Sequence, residues 1–404
     1  MEQKTILLVD ANNFFAGCEI LMNPSLKGRP VCVLSNNDGC VIARSYEAKK
    51  LGIPMGIPYF MAKKSYKDVV YLSANFSLYH DISQRMMKYL ERYSDKIDIY
   101  SIDEAFLDVT DINKIFGLSY KQLAEKIKND IETEIGISVS VGAANSKILA
   151  KMAAHKAKAL TGVYMIEKHM IKEELENIPV EEIWGVGKNT ARSLKKFGIF
   201  YADEILLKED SFYKKNYGKR GMELKYELMG ESVIPLTGIA EKPKSIQKTR
   251  AFPVFSSDRN YIKTELYFHL QNVCKKLREN NQEALTIAVM LRTKDFRVFY
   301  NEEKLESFVN SEILLANTVD RLFHSIYNPE IIYRSSGIFV SNLRDLQNFQ
   351  LPLFTSEKNF KGKKISKIID KFDEKYGRGV LAIGTSGIKN IMEKHKRIMN
   401  LKSV

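Results

Sequence analysis

The sequence predicts an α+β protein of several domains, and three observations lead there. Its 404 residues exceed what one core holds, since domains run to about 150 residues. Residues 1–145 read as strand, helix, hairpin, helix and strand, the order of a ferredoxin-like layer. A mostly helical stretch over 170–236 then passes through the linker EKPKS into a second α+β unit.

TILLVDANNFF (5–15) is an apolar run with an acid near its end, so it reads as a buried strand with Asp10 at its C-terminal edge. Residues 31–34 form a second strand, and SNNDGC (35–40) turns into a helix over 45–51 that Gly52-Ile53-Pro54 stops. Apolar spacing over 77–93 suits a further helix. IDIYSIDEAFLDVT (97–110) alternates between two faces and predicts a hairpin with Asp103 and Glu104 at its turn. An amphipathic helix over 120–135, the strand ISVSVGAA (137–144) and a helix through Lys158 complete the layer, leaving 14–74 as an insertion after the first strand. In the second unit, 283–293 and 331–343 read as strands. No internal repeat or low-complexity tract is present.

A hydrophobic fraction of 45% and a charged fraction of 27% fit an ordinary folded protein. The net charge of +13 predicts attraction to polyanions, either nucleic acid or an anionic membrane surface. From residue 355 onward, 13 Lys and Arg stand against 5 Asp and Glu, so this tail carries +8 of the surplus. No apolar run approaches the ~18 residues needed to span a bilayer, and the N-terminal run is too short for a signal peptide. A cytoplasmic protein with no membrane partner is therefore expected. Cys18, Cys32, Cys40 and Cys274 lack CxxC spacing and the six histidines lack zinc-ligand spacing, which predicts reduced thiols and no structural zinc.

Asp10, Asp103 and Glu104 are the candidate catalytic residues. The ferredoxin-like order makes their strands neighbours, and carboxylates brought together repel unless hard cations neutralise them. Mg²⁺ suits such oxygen ligands, and two ions about 3.5–4 Å apart would clamp the attacking and leaving oxygens of a phosphoryl displacement. An isolated Asp-Glu pair in a turn is ordinarily just solvated. Three acids on adjacent strands also fit a nucleotide cyclase, or a DNA-binding repair scaffold without activity.

LLVDANNFFAGCE, SNNDGCVIARSYEAKKLGIPMG and YSIDEAFLDVT resemble, in order, the three motifs that open the Y-family translesion DNA polymerases. The second block is most similar to the UmuC-like branch and its UvrX-like relatives. The resemblance implies a right-hand polymerase: a ferredoxin-like palm (1–13 and 75–168), small fingers (14–74) and a helical thumb (169–240). An α+β little finger (241–345) would follow, then a clamp-binding peptide and basic tail (346–404). It implies that Asp10, Asp103 and Glu104, with the Ala11 carbonyl, hold two Mg²⁺ ions. Phe15 falls at the steric gate that excludes a 2′-hydroxyl, where many members have Tyr. Phe14, Tyr46, Lys49 and Lys158 would contact the incoming dNTP, Lys49 as a point charge where Arg is common.

IWGVGKNTARSLKKFGI (183–199) resembles a helix-hairpin-helix, in which Gly185, Gly187 and Lys188 would approach a DNA phosphate. Lys244, Lys248, Arg250, Arg292, Lys294 and Arg297 would track the duplex backbone without reading bases. QLPLF (350–354) is similar to the peptide by which bacterial polymerases dock on the β-type sliding clamp, through Gln350, Leu351, Leu353 and Phe354. The resemblance further implies low-fidelity synthesis on primer-template DNA during the SOS response, with UmuD-like and RecA-like accessory proteins. With no segment left over for an exonuclease, proofreading is not expected.

Overall fold

Ile6–Ala11 form β1, six buried residues at the middle of a five-stranded sheet in the computed structural model of the chain. The structure describes residues 4–236, 242–346 and 357–376, and the chain divides into two units, Met1–Ala240 and Glu241–Val404. Among the described residues, no helix is long and apolar enough to cross a membrane.

In the first unit, β1 leads into α1 (Phe14–Met22), β2 (Val31–Leu34), β3 (Val41–Arg44), α2 (Tyr46–Lys50), α3 (Tyr59–Ser65) and β4 (Val70–Ser73). There follow α4 (Phe76–Leu90), β5 (Ile97–Ile99), β6 (Glu104–Asp108), α5 (Ile112–Ile115), α6 (Tyr120–Glu134) and β7 (Val139–Ala144). Next come α7 (Lys147–Ala157), β8 (Val163–Met165), α8 (Ile171–Leu175), α9 (Lys188–Lys196) and α10 (Asp210–Leu228). The main sheet has the order β5-β6-β1-β7-β8. Its first four strands are antiparallel in the ferredoxin-like order, and β8 adds in parallel beside β7. The two-residue period of β1 sends Leu7 and Val9 into one core with Tyr79, Met86, Leu123 and Ile127. Ile6 and Leu8 go to the other, with Leu149, Ala153 and Ala154 of α7.

One close approach places α7 over the sheet. A Cβ added at Gly142 of β7 would lie 2.1 Å from the Ala154 nitrogen and 2.2 Å from the Ala150 carbonyl oxygen. Small residues on both sides thus bring the helix flush with the strand, and its lysines with it. The Ser146 side chain caps the helix by accepting from the Leu149 amide. The insertion builds a separate three-stranded sheet, β3-β2-β4, around Cys32, Leu34, Val41, Ala48, Ile53 and Ala62.

In the second unit, β9 (Ser245–Ser256), α11 (Arg259–Glu279), β10 (Gln282–Thr293), β11 (Val298–Val309), α12 (Glu312–Ile326) and β12 (Tyr333–Asp345) make an antiparallel sheet ordered β11-β10-β12-β9. Residues of α11 and α12 share its core. A last helix, α13 (Glu357–Tyr376), is tied to this unit by Asp370, which accepts from the Arg278 guanidinium at 2.6 and 2.7 Å. Ser366 meets Ser311 at 2.9 Å.

The structure refines several sequence expectations. Asp10 lies at the C-terminal edge of the first strand as expected; the strand stops at Ala11, because Asn13 turns left-handed (φ 52°) and Phe14-Phe15 open a helix. The helix expected over 45–51 spans Tyr46–Lys50, with Ser45 as its cap, and that over 77–93 spans Phe76–Leu90. The acidic pair divides: Asp103 ends the turn and Glu104 opens β6. Strands β3, β4 and β8 are three or four residues long, too short to show a period. β11 was missed because both its faces are rich in exposed and charged residues, and β9 because Pro253 interrupts it.

Candidate active site

Asp10 sits one residue from the end of β1, directly opposite Glu104 in the β1–β6 register. Asp10 is 8% exposed, and Glu104 is half-buried. Burial, reinforced by the Asp10 charge, holds the Glu104 carboxyl above the usual carboxylate range, although Lys151 pulls the other way. Two ammonium groups from α7 and its C-terminal end answer this pair. Lys151 donates to both Glu104 oxygens at 3.0 Å, and Lys158 donates to Asp10 at 2.7 Å. The Asp103 side chain accepts from the Ser101 hydroxyl, while its backbone carbonyl accepts from the Ala11 amide at 2.9 Å. The strand thus brings Asp10 and Glu104 together and sets Asp103 beside them. Among the described residues, no three acids, histidines or cysteines lie close enough to form a complete metal cage.

The donor chemistry nevertheless fits a hard cation. Asp10 and Glu104 supply oxygen from adjacent strands, and positive groups already answer both. The nearby Cys18 thiol is pushed up to about 12, chiefly by burial and then by Glu19, so it stays protonated and offers no soft thiolate ligand.

A cationic group flanks the acids. Lys49 in α2 has its ammonium pKa lowered by burial and then by the charges of Arg44 and Lys158. The Tyr46 hydroxyl donates to the Lys158 carbonyl at 3.4 Å, joining the insertion to the end of α7. These residues gather positive charge next to Asp10, as an anionic ligand there would require.

Phe15 lies partly buried, stacked on Tyr79 at 4.5 Å with Phe76 edge-on at 5.9 Å. Tyr79 is anchored in turn by donating to Glu19 at 2.6 Å. Phe14, 3% exposed, packs in the core, so only its backbone is left to meet a ligand. Gly185 takes a left-handed φ of +90°, and Gly187 is the N-cap of α9, with Lys188 exposed after it. A Cβ at either glycine would meet nothing within 4 Å, so the turn faces open space. In the second unit Arg250 lies 4.0 Å from Glu265 and Arg297 pairs with Asp295 at 2.6 Å, while Lys244 and Lys294 are exposed. The peptide Gln350, Leu351, Leu353, Phe354 and the chain beyond 376 lie outside the described residues.

Sequence reasoning missed Lys151, Arg44, Tyr79 and Phe76. Lys151 was detectable: it precedes Lys158 by two helical turns and so shares its face of the helical stretch. The aromatic pair carried only the ordinary apolar pattern of α4.

The model of the impB/mucB/samB family matches residues 9–155, and that of the family's C-terminal domain matches 243–353. Protein UmuC of Salmonella typhimurium is 31% identical over 399 residues, covering 94% of this chain and 93% of that protein. The chain belongs to the impB/mucB/samB family. DNA polymerase IV 1 of Bacillus subtilis is 28% identical, covering 95% of this chain and 94% of that protein. Among solved structures, a Y-family DNA polymerase chimera of Dbh and Dpo4 matches with a TM-score of 0.71 and 28% identity, over 84% of this chain and 99% of that one. An insertion ternary complex of Dbh DNA polymerase matches with a TM-score of 0.57, 28% identity and the same coverage. The α+β multidomain architecture is that of a UmuC-like Y-family polymerase.

Proposed function

We propose that Asp10, Asp103 and Glu104 are the catalytic centre with which this translesion DNA polymerase adds dNTPs to a primer 3′ end. The observation that carries this reading is the Asp10–Glu104 register match, flanked by Lys49, Lys158 and Tyr46. Membership of a DNA polymerase family disfavours both the cyclase and the inactive scaffold.

In this reading Asp10, Glu104 and the adjoining Asp103 and Ala11 carbonyl hold divalent metal, two Mg²⁺ ions in the fullest form. When bound, the metal would supply the charge that activates the primer hydroxyl and stabilises the departing pyrophosphate. Lys158 exchanges the Asp10 carboxylate for a triphosphate oxygen, which frees Asp10 for its ligand role. Lys49 and Tyr46 hold the same triphosphate, and Phe14 presents its backbone. The Phe15 ring occupies the space a 2′-hydroxyl would need, so deoxynucleotides fit and ribonucleotides clash. Gly185, Gly187 and Lys188 take a DNA phosphate in the thumb, and the basic residues of the little finger follow the duplex. Rate then comes from positioning and charge neutralisation, with low fidelity and without proofreading.

Palm 1–13 and 75–168, fingers 14–74, thumb 169–240, little finger 241–345 and a docking tail 346–404 are the corresponding domains. The reading also includes the β-type clamp at 350–354, UmuD-like and RecA-like partners, the SOS response as its setting and the nucleoid as its place. Primer extension across an abasic site is the test. The wild type should insert opposite the lesion and continue, and a chain that stops at the lesion as completely as a replicative enzyme would overturn the translesion role.

A further inference from the structure

Glu104 is gripped by a group that none of the sequence motifs single out. Lys151 donates to both its oxygens, each at 3.0 Å. The same ammonium lies 4.6 Å from the Tyr100 ring centroid and 5.6 Å from that of Trp184. Trp184 donates from Nε1 to the Tyr100 hydroxyl at 3.0 Å, and the two rings meet edge-on at 5.2 Å. Phe106, two residues beyond Glu104, closes against both, 6.0 Å from Tyr100 and 5.6 Å from Trp184. Trp184 immediately precedes Gly185 in the turn that opens toward α9.

We propose that Lys151 is a positioning residue for Glu104, and that its aromatic seat of Tyr100 and Trp184 links the thumb turn to the catalytic carboxylate. An ammonium shared between a carboxylate and two ring faces loses contact whichever way it moves. The orientation of Glu104 and the position of Trp184 are therefore coupled. A DNA phosphate engaged at Gly187 and Lys188 fixes the turn and Trp184, and through Lys151 it fixes the carboxylate that must meet metal. The proposal rests on the assignment of Glu104 to the catalytic centre.

Trp184 is the one tryptophan of the chain, so its emission reports on this seat alone. The experiment titrates the full-length protein with Mg²⁺, without DNA or nucleotide, and follows Trp184 emission in the wild type, Lys151→Arg, Lys151→Met and Glu104→Gln. Metal competing for Glu104 should shift emission in the wild type and in Lys151→Arg, which keeps the cation. Lys151→Met and Glu104→Gln should not respond. A Lys151→Met response equal to wild type would overturn the proposal.

Primer extension gives the second readout. Lys151→Met should lower kcat by about ten-fold or more with the dNTP KM changed less than about two-fold, and Lys151→Arg should recover part of it. Trp184→Ala should add little to Lys151→Met, because the two act as one unit, whereas additive losses would overturn the link. The emission titration involves no polymerase activity. Full activity in Glu104→Gln would therefore sink the catalytic assignment separately from the coupling.

Discussion

Phe15 is oriented before any nucleotide arrives: Tyr79 stacks on it, Phe76 meets its edge, and Glu19 holds Tyr79 by its hydroxyl. As the proposed gate, a ring supported on two sides would not swing away to admit a larger sugar. Phe15→Ala should therefore raise ribonucleotide incorporation by about 10–200-fold relative to deoxynucleotides, the scale on which pocket shape discriminates. Competing single-nucleotide insertion of a dNTP and its ribo counterpart measures this, and unchanged selectivity would remove the gate from Phe15. The proposed gate and the three acids could be singled out in the sequence because each falls inside a long motif. Their supports were not. Tyr79 and Phe76 come from α4, some sixty residues away, and nothing in a one-dimensional pattern says which face of that helix meets α1. The ion pairs of Lys151 and Lys158 were hidden for the same reason, since they depend on how closely Gly142 lets α7 approach β7.

Helix α7 carries Lys151, with Lys158 at its C-cap, and its placement depends on a second helix. Glu227 of α10, fully buried, accepts from the Ile148 amide in the first turn of α7 at 3.2 Å, and from Val233 and Ile234 at 2.8 and 2.9 Å. Its backbone carbonyl also accepts from the Ser146 hydroxyl at 2.6 Å. Glu227→Ala would leave three amides without their acceptor and should destabilise the first unit by about 2–4 kcal/mol, with Glu227→Gln milder because it keeps one carbonyl oxygen. Chemical denaturation measures both. Burial raises the Glu227 pKa despite these amides, so the folded chain holds that proton to higher pH than the unfolded chain. Protonation of Glu227 therefore favours folding, fully so at acid pH, and that contribution is lost as pH rises through the raised folded value. The stability gap between wild type and Glu227→Gln should shift against the wild type over that rise, and a gap independent of pH would contradict the assignment. At this scale the long elements around the main sheet of the first unit were readable from periodicity. The short strands β3, β4 and β8 were not, because they exist only through pairing partners distant in the chain.

For the whole molecule, part of the +13 surplus answers the acids, through the Lys151–Glu104 and Lys158–Asp10 pairs, and +8 of it lies in the sequence from residue 355 onward. In the proposed reading Lys49 and Lys158 also meet a triphosphate, and the turn at Gly185–Lys188 and basic residues of the second unit meet a phosphate backbone. The two-unit division and the final α+β unit were legible in composition and linker, whereas the helix α13 and its Arg278–Asp370 tie were not, since an ion pair across 92 residues leaves no local signal. Deleting 350–354 should leave basal extension unchanged and abolish stimulation by the β-type clamp, and unchanged stimulation would remove that docking role. In the proposed mechanism the paired carboxylates on β1 and β6 perform template-directed phosphoryl transfer. Steady-state primer extension with Asp10→Asn and Glu104→Gln, alongside primer-template binding, decides the matter. The expected result is a loss of at least about 10³-fold in kcat with DNA affinity within about two-fold of wild type; extension at the wild-type rate by either variant would contradict it.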